Sequence, residues 1–145
     1  MKITQEILDN LTEQAKAAPR LRMNMDLRNS AEDQSQRMLN AIEPGSVVPI
    51  HRHQKSSETV VCLRGRLVEE YYQELSVDSL ELKDSTKRSR VQKVQEIELT
   101  PNGQTVALNI PAGQWHTVRA LESGTVIIEM KDGAYEPLSD VDILK

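Results

Sequence analysis

Gly45-x5-His51-x-His53-x4-Glu58-x6-Gly65 places two imidazoles and a carboxylate within eight residues, between two glycines. The surrounding segment reads as strand, where side chains alternate between faces, so His51 and His53 point the same way. Gln54-Lys55-Ser56-Ser57 is polar and turn-like. Such a turn can fold Glu58, at the head of the apolar run Thr59-Val60-Val61-Cys62-Leu63, back over the pair. His116 stands after a second turn, in Pro111-Ala112-Gly113-Gln114-Trp115-His116, and completes the three histidines of the chain. Imidazoles with one carboxylate suit a divalent transition metal.

These residues need a scaffold, and the rest of the chain predicts its parts. A length of 145 residues is one domain's worth. Residues 4–17 have the period of an amphipathic helix, with Ile7, Leu8, Leu11, Ala15 and Ala18 on one face. Thr4 is its expected N-cap, Ile3 can staple to Leu8, and Pro19 marks its end. Leu21, Met23, Met25 and Leu27 then alternate with Arg20, Arg22, Asn24, Asp26 and Arg28, as in a strand with one polar face. From Gln36 to Glu136, turn signals recur between short apolar runs: Glu43-Pro44-Gly45, Arg64-Gly65, Pro101-Asn102-Gly103, Ser123-Gly124, Asp132-Gly133. That rhythm predicts an antiparallel sandwich or barrel. The charged segment 83–90 reads as an exposed hairpin tip or mobile loop.

Composition narrows the partners. The net charge of −4 does not favour nucleic acid or an anionic membrane. Aromatics are scarce, which argues against a base-stacking platform. Cys62 is the single cysteine, so no intrachain disulfide forms, and its apolar setting predicts a buried, inert thiol. No apolar run reaches the ~20 residues of a membrane span. With no hydrophobic signal segment at Met1–Glu6, the expectation is a cytoplasmic protein.

The first run resembles the first signature of the cupin superfamily at every defined position, and Pro111-x-Gly113-x2-His116 resembles the second. Two positions depart from the pattern: Gly103 precedes the proline by eight residues rather than six, and Ala120 stands where an asparagine is usual. That asparagine is not a metal ligand in the family. A narrower resemblance, to the WbuC-type cupin metalloproteins, rests on 18–25, 36–41, Pro49-Ile50-His51-Arg52-His53 and 129–137. It implies an all-β fold, a cupin (double-stranded β-helix or jelly-roll) barrel over residues 36–145, including a C-terminal tail. An N-terminal helix and added strand would occupy residues 1–35. It also implies an association with bacterial surface-polysaccharide clusters; the wider cupin resemblance, with edge strands to cover, implies a homodimer.

His51, His53, Glu58 and His116 are thus the expected ligands of one divalent ion, with iron, manganese, nickel, cobalt and zinc all compatible. Four protein ligands on an ion that takes about six leave room for water or substrate. The alternative is a polar pocket without metal. Glu129, in the apolar strand 125–130, faces either solvent or the pocket, where it would serve as acid or base. Tyr135 is a second catalytic candidate. Arg20, Arg22 and Asn24 share a strand face and form either a solvated surface or a clamp for an anionic substrate. Trp115 reads as packing. The expected activity is isomerase- or epimerase-like chemistry on a small polar or anionic metabolite, such as a sugar intermediate. A metal-dependent dioxygenase and a non-catalytic binding module are the rivals.

Overall fold

The structure, a computed structural model, describes residues 1–75 and 90–144. Those residues form one α-helix, α1 (Gln5–Ala17), a 3-10 turn (Asp140–Asp142) and ten strands. The strands are β1 (Arg22–Asp26), β2 (Ser35–Ile42), β3 (Ile50–His51), β4 (Glu58–Arg64), β5 (Leu67–Glu74), β6 (Val91–Leu99), β7 (Ala107–Ile110), β8 (Trp115–Ala120), β9 (Thr125–Asp132) and β10 (Ile143–Leu144). The charged segment 83–90 lies outside the described residues except for Arg90, whose carbonyl accepts a hydrogen bond from the Leu75 amide (2.7 Å).

Two five-stranded antiparallel sheets face each other, in the orders β1-β2-β9-β4-β7 and β10-β3-β8-β5-β6. Ile42, Val60, Cys62, Leu67, Leu99, Ile110, Val118, Ala120 and Ile127 fill the space between them. The predicted strand with one polar face is β1, hydrogen-bonded to β2 from Arg22↔Ile42 to Asp26↔Met38.

The helix covers the outer face of the first sheet. Leu8, Leu11 and Ala15 pack on Leu39, Ala41 and Val126, with Met23, Met25 and Ile128 beside them. Thr4 caps it, Oγ1 accepting from the Ile7 amide at 3.4 Å. Ile3 is 44 % exposed while Leu8 is 3 % exposed, so no buried staple joins them: Leu8 turns into the sheet and Ile3 toward solvent. Arg64 pins the helix to the sheet, donating to Asp9 Oδ1 (2.6 Å), Thr12 Oγ1 (2.9 Å) and the Gly124 carbonyl (2.9 Å).

Strand alternation gives the interior a polarity gradient. The inward residues of β4 run Cys62, Val60, Glu58; those of β9 run Ile127, Glu129, Lys131; those of β8 run Ala120, Val118, His116. Each strand changes from apolar to ionisable toward the same end of the barrel. Burying the apolar end drives folding, while the polar end must find partners for its charges.

Gly65, the closing glycine of the first motif, links β4 to β5 at φ +81°. A Cβ there would lie 2.7 Å from Thr125 Cα, in backbone that cannot swing aside. Gly65→Ala should therefore destabilise the protein by at least about 1–2 kcal/mol, read as a lower urea midpoint at unchanged slope.

Candidate metal centre

The four expected ligands come from both sheets. His51 lies on β3 directly opposite His116 on β8. Regular strand pairing on β3 ends at His51, but the Gly113 amide donates to the His53 carbonyl (2.8 Å) and keeps the chain running alongside the second motif. Between the two histidines, Arg52 turns to the other side, over the Trp115 ring (4.5 Å to its centroid) and onto Asp142 and Glu74. The alternation expected of His51 and His53 is thus realised. Ring centroids are 4.4 Å apart for His51 and His116, 5.1 Å for His51 and His53, and 5.8 Å for His53 and His116. One nitrogen from each falls within 4.8 Å of the others. Glu58, first residue of β4, reaches across from the facing sheet, its Oε2 3.0 Å from His53 Nε2.

Backbone carbonyls fix two of the rings. His51 Nδ1 lies 2.9 Å from the Pro49 carbonyl and His116 Nδ1 lies 2.9 Å from the Gln114 carbonyl. A carbonyl only accepts, so each Nδ1 carries the proton and each Nε2 keeps its lone pair. That is the tautomer a metal ligand needs, held by the kind of outer hydrogen bond that orients such ligands. His116 Nε2 is buried without a hydrogen-bond partner, and so is Glu58 Oε2. Lys131 Nζ is 3.1 Å from that oxygen and 3.4 Å from His53 Nε2, but neither Lys131 nor His53 meets the oxygen with hydrogen-bond geometry. Two orphaned buried acceptors beside a third imidazole fit a cation: the three histidines can hold one divalent ion, with the Glu58 carboxylate beside His53 as the candidate fourth ligand.

The electrostatics agree with that reading. Burial, helped by the neighbouring His116, lowers the His51 pKa to about 4, and burial also lowers that of His116. Both rings are therefore neutral and able to coordinate at physiological pH. Burial opposes charge on Glu58, yet His53, Lys131 and His116 hold its carboxyl well below the usual range. His51 and His116 thus present neutral nitrogens beside the Glu58 carboxylate.

The centre opens into a cavity of about 1290 Å³. Glu129 lines it, facing the pocket rather than solvent, and accepts a hydrogen bond from Asn40 Nδ2 (2.8 Å). Burial, reinforced by the charge on Glu58, raises its pKa to about 8. Tyr135 stands at the rim, 58 % exposed, with the Arg28 guanidinium 5.6 Å from its ring. Arg20, Arg22 and Asn24 are not brought to this cavity. Arg20 and Asn24 are exposed, and the Arg22 guanidinium donates to Ser46 Oγ (3.3 Å) and the Val47 carbonyl (2.7 Å). The polar face of β1 lies at the sheet edge, four strands from β7 and away from the histidine sheet. Trp115 packs, 6 % exposed, and Cys62 is buried with its thiol pKa raised by that burial.

Three interior residues escaped the sequence reading. Lys131 stands two residues beyond Glu129, so strand alternation already put both on one face. Tyr71 lies opposite His116 on β5, and Glu69 lies opposite Val118. Glu69 is 2 % exposed and its pKa is well raised, by burial first and then by Glu58 and Glu129. Their signal was weak because Glu69-Glu70-Tyr71-Tyr72 shows no alternation of polarity.

Among solved structures, KdgF from Halomonas sp. is similar over 81 % of this chain and 84 % of its own, with TM-score 0.56 and 14 % identity. An oxalate oxidase in complex with the substrate analogue glycolate matches 84 % of this chain and 56 % of its own, with TM-score 0.58 and 15 % identity. Bacillus subtilis oxalate decarboxylase, described with Mn(II) centers, matches 86 % and 27 %, with TM-score 0.52 and 14 % identity. The chain thus spans little more than half of the oxidase and about a quarter of the decarboxylase. No curated protein sequence matches it. Such identities speak for the fold, which is the cupin barrel. A family model matches residues 3–77. The chain belongs to that family, described as a domain of unknown function, DUF6016.

Proposed function

We propose that this chain is a metal-dependent cupin that moves a proton on a small polar or anionic metabolite, as an isomerase or epimerase does. The observation that carries the reading is the convergence of His51, His53, His116 and Glu58 at the closed end of a cavity whose wall holds Glu129. A bound divalent ion would supply Lewis acidity toward a substrate oxygen. Glu129 would take and return the proton. Its pKa of about 8 lets it populate both forms near neutral pH. Asn40 orients the carboxyl through its 2.8 Å hydrogen bond. Every histidine is committed to the centre, which leaves Glu129 as the ionisable group best placed for proton transfer. The resemblance to WbuC-type cupins supports a sugar intermediate of surface-polysaccharide synthesis as substrate.

A second reading has its own support. The glycolate-bound oxalate oxidase and the manganese centres of oxalate decarboxylase share the fold, so oxidative chemistry on a small acid is the rival.

Purified protein should carry one divalent ion per chain, and a His51→Ala/His116→Ala variant should carry almost none by elemental analysis. Equal metal content in the two would end the metal reading. With a panel of keto sugars and sugar acids in deuterated water, NMR should show solvent deuterium entering one carbon-bound position. The rate should rise with pH, with a midpoint at or below about 8 because a cation in the centre favours the carboxylate. Glu129→Gln should slow the exchange by about 100-fold or more and abolish that pH dependence. Substrate-dependent oxygen uptake with iron(II), lost in His53→Ala, would replace this reading with the oxidative one.

A further inference from the structure

We propose that Lys131 is the anion-recognition residue of this cavity, a cation that neutralises Glu58 when the centre is empty and binds a small oxyanion when metal takes its place. The inference rests on the metal-centre reading above. It follows from position and charge. The Lys131 ammonium sits 3.1 Å from Glu58 Oε2 and 3.4 Å from His53 Nε2, on two of the groups a metal would use. Its side chain is only 14 % exposed, and it lines the cavity. A metal ion and an ammonium cannot both lean on one carboxylate oxygen without strong repulsion. Loading the centre therefore releases Lys131 from Glu58.

The charge balance then favours an anion. The ion contributes +2, Glu58 −1 and Lys131 +1, with the imidazoles neutral, so the loaded centre carries about +2. A carboxylate or phosphate entering the cavity can compensate that charge, with Lys131 donating to one of its oxygens. Arg20 and Arg22, the anion clamp expected from sequence, lie outside the cavity, and its other lysine, Lys55, is 85 % exposed at the rim and paired with Glu136 (2.9 Å), so recognition of charge beside the centre falls to Lys131. Strand alternation explains why it is there: Glu129 and Lys131 project from one face of β9, placing the proton carrier and the cation side by side.

The test uses cobalt(II) as the metal and glycolate, inorganic phosphate and neutral glycolamide as probes, read by the cobalt visible spectrum and by calorimetry. Lys131→Met should bind cobalt severalfold more tightly, because a competing cation is gone. It should bind glycolate or phosphate about tenfold or more weakly once loaded, with glycolamide binding unchanged. Opposite shifts of this kind cannot come from a folding defect. Whichever of glycolate and phosphate shows the larger Lys131-dependent loss identifies the class of oxyanion. If Lys131→Met loses cobalt and anion together, Lys131→Arg decides: retained anion binding upholds the proposal and lost binding overturns it. Equal oxyanion affinity in wild type and Lys131→Met overturns it, as does a loaded wild type that binds neither anion or binds glycolamide equally well. A wild type that takes up no cobalt overturns the metal reading itself, together with what rests on it.

Discussion

Placing a carboxylate and three imidazoles together inside a barrel is the constraint on which this structure turns. Each group leaves water and must be compensated. The protein does this only in part. Pro49 and Gln114 carbonyls satisfy the outer nitrogens of His51 and His116, while His116 Nε2 and Glu58 Oε2 remain without hydrogen-bond partners. Such orphans are rare in folded proteins and concentrate where a ligand completes the set. The near approach of Lys131 to Glu58 shows the same need, met by the only cationic side chain within reach of that oxygen among the described residues.

The rest of the fold makes that placement affordable. An apolar slab of Ile42, Val60, Leu67, Leu99, Ile110 and Ile127 closes one end of the barrel and supplies the driving force. The helix adds a second apolar layer behind the sheet that carries Glu58, Glu129 and Lys131. At the open end the C-terminal segment returns over the site. β10 pairs with β3, placing Ile143 opposite His51, and Gln36 Nε2 donates to the Gly133 (3.1 Å) and Ala134 (3.4 Å) carbonyls. Lys55 and Glu136 join the turn between His53 and Glu58 to this segment at 2.9 Å. The cavity is thus roofed by chain 133–144, which also supplies its polar rim.

Glu129 and Lys131 show how one strand can carry two chemistries. Their faces are identical, yet their surroundings differ. Glu129 sits deeper, opposite Val60, where burial favours its protonated form. Lys131 lies opposite Glu58, at the level of the histidines. A shift of one residue in β9 would turn both outward and present Met130 and Ile128 to the cavity. Register, set by eight paired positions with β2, therefore decides which side chains of β9 line the cavity.

The sequence by itself determined which residues were candidate ligands, the helix with its Thr4 cap and the succession of short strands. All three are local: spacing fixes which side chains share a face, and turn residues fix where strands end. It also restricted Glu129 to two faces but could not choose between them, because an antiparallel sheet has one dry and one wet side and alternation does not say which is which. The choice came from tertiary packing. Helix α1 claimed the Val126 and Ile128 face, so Glu129 and Lys131 had to point inward. The same packing left Arg20, Arg22 and Asn24 at a sheet edge, although their alternation looked as good as that of β9. Tyr71 and Glu69 reached the interior through pairing with His116 and Val118, partners more than 40 residues away in sequence. Such long-range register depends on how the two sheets close on each other, which no window of local sequence contains.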